Sequence, residues 1–432
     1  MDANRRKFLQ ISTGGLVASM SMPMMSLFSS GAHAAIVPNQ KKLIVLHLDG
    51  GNDGLNTVIP IDSAQYALYQ DMRPTIQIPL ADILPVGFDT SGIEFGLHPS
   101  FASLMPYINN LALFPATHTG VNSNRSHFFQ HDVLDAGLYT GITNLSDGKG
   151  WLGRYLDGKY LTQPEGIVAQ DFAGGEQFLI DGNTFVLRFK DPANQKLGAE
   201  VATTNAMWAD MQLVNNGATG PGAHRNNYAY EQQNVFNEIM PRLATVGFTR
   251  IPSVTYPTGL GSNLKKTADM LISLPELEVI HLTQGGYDTH EAQLVGHAAI
   301  LKTLSDSLAA FYADLSNYPD LINNVAVVVM SEFGRTTNEN VSLGTDHGQA
   351  TSWMVFGGGI MGGVYGSYPG LNAVANAQFP GLESSDWLRT NTDYRDIFSE
   401  LMGPKFMGRS VAEANAVFPA YAGAPNPLNF VL

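Results

Sequence analysis

Residues Val325 to Met330, VAVVVM, constrain the fold more than any other stretch. An unbroken apolar, valine-rich run with no polar residue in alternation describes a strand buried on both faces, and such strands belong to parallel sheets covered by helices on both sides. Lys42 to Leu48 (KLIVLHL) and Leu277 to Leu282 read the same way. Behind the latter, Leu294, Ala298, Leu301, Leu304, Leu308, Phe311 and Leu315 recur at steps of three and four, which predicts a long helix. Strands of this kind alternating with helices give the class: α/β, with a mostly parallel central sheet and helices on both faces. A further strand is predicted near Trp353 to Phe356.

Each buried run hands over to polar residues at its carboxyl end. The first gives Asp49-Gly50-Gly51-Asn52-Asp53-Gly54. The second leads to Asp288 and His290, and the third to Ser331-Glu332 with Arg335, followed later by Asp346-His347. In open α/β sheets, ligands bind outside the carboxyl ends of the strands. Carboxylates gathered at adjacent strand ends repel one another unless a cation lies among them. The chain has no cysteine, so any such ion is held by oxygen and imidazole donors, a set that suits zinc or manganese. The competing reading is that these residues only cap loops and pair with Arg125 or Arg335.

The remaining elements are less sharply written. Residues 62–95 read as loop and edge strand, Pro99 to Ile108 as helix, and Leu111 to Phe114 as a short strand. Ser123 or Asn124 is placed to cap a helix running from Phe128 to Leu138. That puts Arg125, Ser126 and His127 at its first turn, where backbone N–H groups favour an anion. An ordinary cap serine beside a solvent-facing histidine is the alternative. A helix starts near Trp151, and residues 167–189 read as strands and turns. Residues 190–225 form a polar, glycine-rich excursion, and helices are predicted over 226–246, 261–273 and 392–402.

The formal net charge of −14 disfavours nucleic acid as a partner. The amino terminus carries a twin-arginine export motif, Asn4-Arg5-Arg6-Lys7-Phe8-Leu9. A weakly apolar stretch and an Ala32-His33-Ala34 cleavage pattern follow. The organisation expected is a signal peptide over 1–34 and a single α/β domain over 35–432. The mature chain is expected to have no membrane span, to use the Tat translocon as an export partner, and to reside in the periplasm or outside the cell.

Taken in order, the leader, LDGGNDGLNTVIP, GLHPS, NRSHFFQHD, GWLGRYLD, GGYDTH, SEFGRTTNEN, GTDHG and GGIMGGVYG resemble the domain-of-unknown-function-1501 family across nearly the whole mature chain. That family is similar, at fold level, to the alkaline phosphatase and sulfatase superfamily. The resemblance implies an alkaline-phosphatase-like sandwich with one or two divalent metals and a hydroxyl or modified nucleophile. By position, Asp49 resembles the first metal carboxylate, Ser126 the nucleophile region, Asp288 and His290 the ligands of one metal, and Asp346 with His347 the Asp-His pair of the site. Glu332 stands where that pair usually begins and competes with Asp346. The superfamily's usual spacing would put a histidine at Ala292, and a late histidine is missing; His127 or His131 is a substitute.

The function expected is an exported, metal-dependent hydrolase of phosphate or sulfate esters on small molecules or glycans. Zinc is the first choice of ion, with manganese or calcium as alternatives, and Arg125 or Arg335 would hold the ester oxygens. The rival expectations are a non-catalytic envelope binding or assembly protein with a degenerate site, and a phosphoryl transferase using the same centre.

Overall fold

A computed structural model describes residues 40–119, 124–139, 148–161, 164, 166–173, 177–184, 186–188, 250–371, 386–424 and 427–432. The export motif and cleavage pattern in 1–34, Ser123, the 190–225 excursion and the helix predicted over 226–246 lie outside the described residues.

The strands are β1 (Lys42–Asp49), β2 (Val58–Pro60), β3 (Leu84–Phe88), β4 (Glu94–Leu97), β5 (Leu111–His118), β6 (Ala169–Asp171), β7 (Val279–Gly285), β8 (Val325–Met330), β9 (Thr351–Phe356), β10 (Gly363–Val364) and β11 (Thr392–Asp393). The described α-helices are α1 (Ser63–Met72), α2 (His127–Ala136), α3 (Trp151–Lys159), α4 (Leu260–Ser273), α5 (Gln293–Leu315), α6 (Pro319–Ile322), α7 (Tyr394–Met402) and α8 (Val411–Ala416). The main sheet runs β10-β5-β9-β8-β1-β7-β6, with β11 also pairing β5; β2, β4 and β3 make a small antiparallel sheet. β1 is parallel to both neighbours, β7 and β8, while β9 runs antiparallel between β5 and β8.

The lack of polar alternation in β1 and β8 is explained by two cores. Ile44, Leu46 and Leu48 face one core, shared with Leu264 and Leu271 of α4 and with Leu301, Leu304 and Leu308 of α5. Leu43 and Val45 face the other, shared with Trp151 and Leu152 of α3 and with Ile397 and Phe398 of α7. Each such side chain contributes roughly 1.5–3 kcal/mol on leaving water.

Some boundaries differ from the sequence reading. Helix α1 stands inside the stretch read as loop and edge strand; Asp62 caps it by accepting from the N–H groups of Ala64 and Gln65, and only Tyr66 and Tyr69 of its residues are buried, so its apolar periodicity is faint. The Pro99–Asn110 segment is a 3-10 helix with Pro106 inside, not an α-helix. The predicted 392–402 helix begins at Tyr394, because Thr392 and Asp393 pair with β5, and Asp393 caps it through Arg395 N–H.

Register decides where the site forms. Asp49 lies opposite Gly285, and His47 opposite Met330, so β1, β7 and β8 end together. β9 enters the sheet antiparallel, with Thr351 opposite Thr117 near the end of β5. The carboxyl ends of β1, β5, β7 and β8, and the loop from β8 to β9 that carries Asp346 and His347, therefore lie at one rim.

Candidate functional site

The turn after β1 sits tightly on the loop after β7. Gly50 has φ +120°, and a Cβ there would lie 2.4 Å from the backbone nitrogen of Asp288, so only glycine fits. Behind the turn, buried Asp53 receives both terminal nitrogens of Arg73 (2.7 and 3.0 Å) and the Gln293 amide. Gln293 Oε1 in turn accepts from Thr289 (3.0 Å) and Thr345 (2.7 Å), tying the Asp288–His290 and Asp346–His347 loops to the turn. Arg335 is buried and spends its donors on the carbonyls of Gly50, Gly51, Tyr287 and Thr345 and on Asp288 Oδ1 (2.7 Å). It is a tie between loops, and one of its amino groups also lies 3.5 Å from His290 Nε2.

Around Asp288 the proton positions follow from the partners. His347 Nδ1 lies 2.8 Å from the carbonyl of Arg125, His290 Nδ1 lies 3.0 Å from the Asp346 carboxylate, and His127 Nδ1 lies 2.7 Å from Glu332 Oε1. Carbonyls and carboxylates only accept, so in the neutral rings each Nδ1 carries the hydrogen and each Nε2 a lone pair. Those lone pairs converge. His290 and His347 Nε2 are 2.9 Å apart, and they lie 3.0 and 3.1 Å from Asp288 Oδ1. His127 Nε2 is 3.6 Å from the same oxygen and is buried without a hydrogen-bond partner. Electron-rich atoms held this close are mutually repulsive without a cation. Bonds of about 2.0–2.1 Å to a tetrahedral zinc imply ligand–ligand separations of about 3.4 Å; the 2.9, 3.0 and 3.1 Å separations would widen and the 3.6 Å one would narrow to reach it. Burial would raise the Asp288 carboxyl, but the Arg335 guanidinium holds it down at about 2; burial lowers the His347 imidazole. The donor set therefore fits a divalent cation. The acceptors beside each Nδ1 already fix the ring orientations, as metal-ligating histidines require.

The second cluster centres on Glu332, which is wholly buried. Its Oε2 lies 3.3 Å from His47 Nε2 and accepts from Ser331 Oγ, and its Oε1 accepts from Gly50 N–H as well as His127. His131 Nε2 is 3.7 Å from Glu332 and 3.1 Å from Asp49 Oδ1. Burial would raise the Glu332 carboxyl; His127 and His47 hold it well below the usual range, and the His131 hydrogen bond lowers Asp49.

Among the described residues, two groups bring ligand atoms within 4.8 Å of one another: His47, His131 and Glu332, and His127, Asp288 and His347. The sequence-predicted residues thus divide between two clusters, linked where Glu332 touches His127. Asp49 borders the first through His131. His290 borders the second, and Asp346 orients His290 from outside. Glu332 and Asp346 lie in different places, Glu332 against His47 and His127 and Asp346 against His290. His127, one of the two substitutes for the late histidine, lies with Asp288 and His347. Ser126 is the cap of α2, its N–H donating to Asn124 (2.9 Å), and the Arg125 guanidinium lies over the Trp387 ring at 4.8 Å. His47 was not singled out in the sequence, because it sits inside a strand that reads as core. His127 and His131, four residues apart on α2, face one side of that helix, which is the signal that points to them jointly.

Imidazoles and carboxylates, without thiolates, at the carboxyl rim of a mostly parallel sheet define an α/β protein with a candidate cation centre. Residues 267–397 match the family described as "Protein of unknown function (DUF1501)", the family whose motifs the chain resembles; that stretch carries Asp288, His290, Glu332, Arg335, Asp346 and His347. No curated protein matches the chain. Similar solved structures include a phosphonate monoester hydrolase of Agrobacterium radiobacter (11% identity, TM-score 0.31, covering 84% of this chain and 73% of that one). A 2-O GAG sulfatase is similar at 9% identity and TM-score 0.30, covering 75% and 65%. A TAB5 alkaline phosphatase mutant with bound Mg is similar at 11% identity and TM-score 0.27, covering 75% and 92%. The likeness is remote, and the chemistry of the site rests on the chain's own residues. No described helix is long and apolar enough to cross a membrane.

Proposed function

We propose that the protein is an exported, divalent-metal-dependent hydrolase of phosphate or sulfate esters on small molecules or glycans. The observation that carries this reading is the convergence of the His127, His290 and His347 Nε2 lone pairs on Asp288 Oδ1, with every Nδ1 hydrogen directed elsewhere. His127, Asp288 and His347, with His290 beside them, would hold the ion, zinc being the best match to the donor set. Bound there, it would supply Lewis-acid polarisation of an ester oxygen and ease deprotonation of an attacking hydroxyl.

The chain's own residues do the rest. The Arg125 carbonyl, Asp346 and Glu332 hold the three imidazoles in the ligating tautomer. Arg335 fixes Asp288 and the two loops that carry it, which keeps the ligand positions preorganised. Ser126, at the amino terminus of α2, is the candidate nucleophile, where helix N–H groups favour the developing anion. Arg125, whose guanidinium is exposed beside the site, is the candidate clamp for ester oxygens. His127, lying with Asp288 and His347, is the proposed substitute for the missing histidine, which favours the catalytic reading over the non-catalytic one. The twin-arginine motif in 1–34 carries the export proposal.

Metal-stripped protein is reconstituted with zinc or manganese and assayed on a panel of aryl and sugar phosphates and sulfates. Turnover restored by metal and abolished by Asp288→Ala or His347→Ala is expected. A fully loaded wild-type protein that hydrolyses no ester on the panel would refute the assignment.

A further inference from the structure

We propose that Val341 and Leu343, at the tip of the β8–β9 loop, form with Val295 of α5 an apolar lip that binds the organic part of the ester. The substrate class is then an ester carrying an alkyl or aryl chain, in preference to an ester of a free sugar. The inference deepens the hydrolase reading and rests on it for the position of the ester group. Val341 and Val295 are largely exposed and Leu343 is half-exposed. Single apolar side chains scattered on a surface are ordinary. These three are brought together. Ala292 N–H donates to the Ser342 carbonyl (3.0 Å) and Gln293 N–H to the Leu343 carbonyl (2.9 Å), which lays the tip on the first turn of α5, where Val295 stands. The lip also adjoins the candidate centre. Asn340 Nδ2 donates to the His290 carbonyl (2.9 Å) and lies 3.3 Å from Asp346 Oδ1, and a Cβ on Gly344 would fall 2.3 Å from the His290 carbonyl carbon.

The tip is strained and firmly held. Ala292 and Leu343 have φ +43° and +60°, two of four non-glycine residues with positive φ among the described residues, and they lie on the two segments that these hydrogen bonds join. Such conformations persist only where the surroundings over-determine them, and they gather at binding sites. Here the surroundings are explicit. Asn340 Oδ1 accepts from the N–H groups of Ser342 (2.9 Å) and Gly344 (3.1 Å). Glu339 Oε2 accepts from those of Thr75 (2.8 Å) and Ile76 (2.9 Å), and Asn338 Nδ2 donates to Asp386 Oδ1 (2.6 Å). The polar side chains at the base of the loop are spent on fixing it, and the valine and leucine at its tip are left facing solvent. Sugar hydroxyls find no hydrogen-bond partner on Val341, Leu343 or Val295, whereas an alkyl or aryl chain leaves water against them. Because the edge is already ordered, binding a chain there does not have to order it first.

Zinc-loaded protein is titrated by calorimetry with methyl-, propyl- and pentylphosphonate, which carry the head group and a chain but no ester bond. Affinity should rise about twofold for each methylene covered on one side, or about 10–20-fold from methyl to pentyl. Val341→Ser combined with Leu343→Asn, a residue that tolerates positive φ, should flatten the series to less than about threefold. Val341→Ser alone changes a side chain that stands in solvent, so it should melt as the wild type does and give an intermediate slope. Affinity that does not depend on chain length, no binding at all, or a dependence that the double variant keeps would overturn the inference; ester turnover in the same preparation would still uphold the hydrolase reading. A slope that the double variant loses, in protein that turns over no ester, would uphold the lip and overturn hydrolysis instead. Binding to phosphatidylglycerol vesicles that the double variant loses, with no chain-length dependence, would assign the tip to a membrane surface and overturn the inference.

Discussion

Replacing Arg73 by methionine should be among the most damaging single changes to this protein, although Arg73 touches no candidate ligand. Its side chain is fully buried and donates to both oxygens of Asp53, to Asn56 Oδ1 (2.6 Å) and to the carbonyls of Thr336 (2.8 Å) and Thr337 (2.9 Å). Burial alone would push the Asp53 carboxyl up; the Arg73 charge and hydrogen bonds hold it below its ordinary value. Methionine fills much of the volume but strands a buried carboxylate and several acceptors. Removing one partner of such a pair costs about 3–5 kcal/mol. At about 1.1 °C per kcal/mol for a chain of 432 residues, the melting temperature should fall by about 3–6 °C. The unpaired Asp53 then has a folded-state pKa above its unfolded value, so the deficit is greatest near pH 7 and shrinks on acidification toward pH 4. Adding Asp53→Asn to Arg73→Met should recover part of the loss, because no charge remains stranded. The assay is thermal melting by circular dichroism at pH 7 and pH 4.5. A drop below about 2 °C at pH 7, or a double variant whose loss equals the sum of the singles, would refute the reasoning.

Other outcomes follow from the same structure. Gly50→Ala meets both a positive φ and the Asp288 backbone, so it should cost about 2–3 kcal/mol and reduce metal loading; unchanged melting would contradict the close approach. His98 and His297 are pushed down to about 4 by burial, so they are neutral when folded and protonate near 6.5 when unfolded. Their stabilisation is complete above pH 6.5 and is lost as pH falls toward 4. Asp288, held at about 2, contributes above pH 3.8 and loses its contribution below it. A melting temperature that rises on acidification from 6.5 to 4 would contradict the histidine sign, and one that rises from pH 3.8 toward 2 would contradict the Asp288 sign. Zinc at about 100 times its dissociation constant should stabilise the protein by about 2.7 kcal/mol, an effect that chelator removes and that His347→Ala abolishes.

Much of the fold was legible because its strands are buried on both faces. β8 matches the predicted run from Val325 to Met330, and β1 and β7 begin or end within a few residues of theirs. The same burial hid His47. A histidine among Leu46 and Leu48 looks like a satisfied core residue until Glu332, 285 positions away, is seen to face it. That Asp288, His290, Asp346 and His347 gather at one rim was legible because polar residues at strand ends have few other tasks. Their division of labour was not, because it depends on which ring nitrogen meets which acceptor. Helix α1 escaped because a helix that buries only Tyr66 and Tyr69 has almost no apolar stripe. Arg335 looked like a clamp because arginine beside carboxylates suits oxyanions; packing three loops together used its donors first.

The most direct measurement is anomalous scattering at the zinc absorption edge from crystals of zinc-loaded protein. A peak is expected within about 2.0–2.2 Å of His127 Nε2, His347 Nε2 and an Asp288 oxygen, with those rings keeping their Nδ1 contacts. Crystals that have no anomalous density within ligand reach of these three residues, with the imidazoles bonded to one another or to water instead, would contradict a cation centre at this sheet rim.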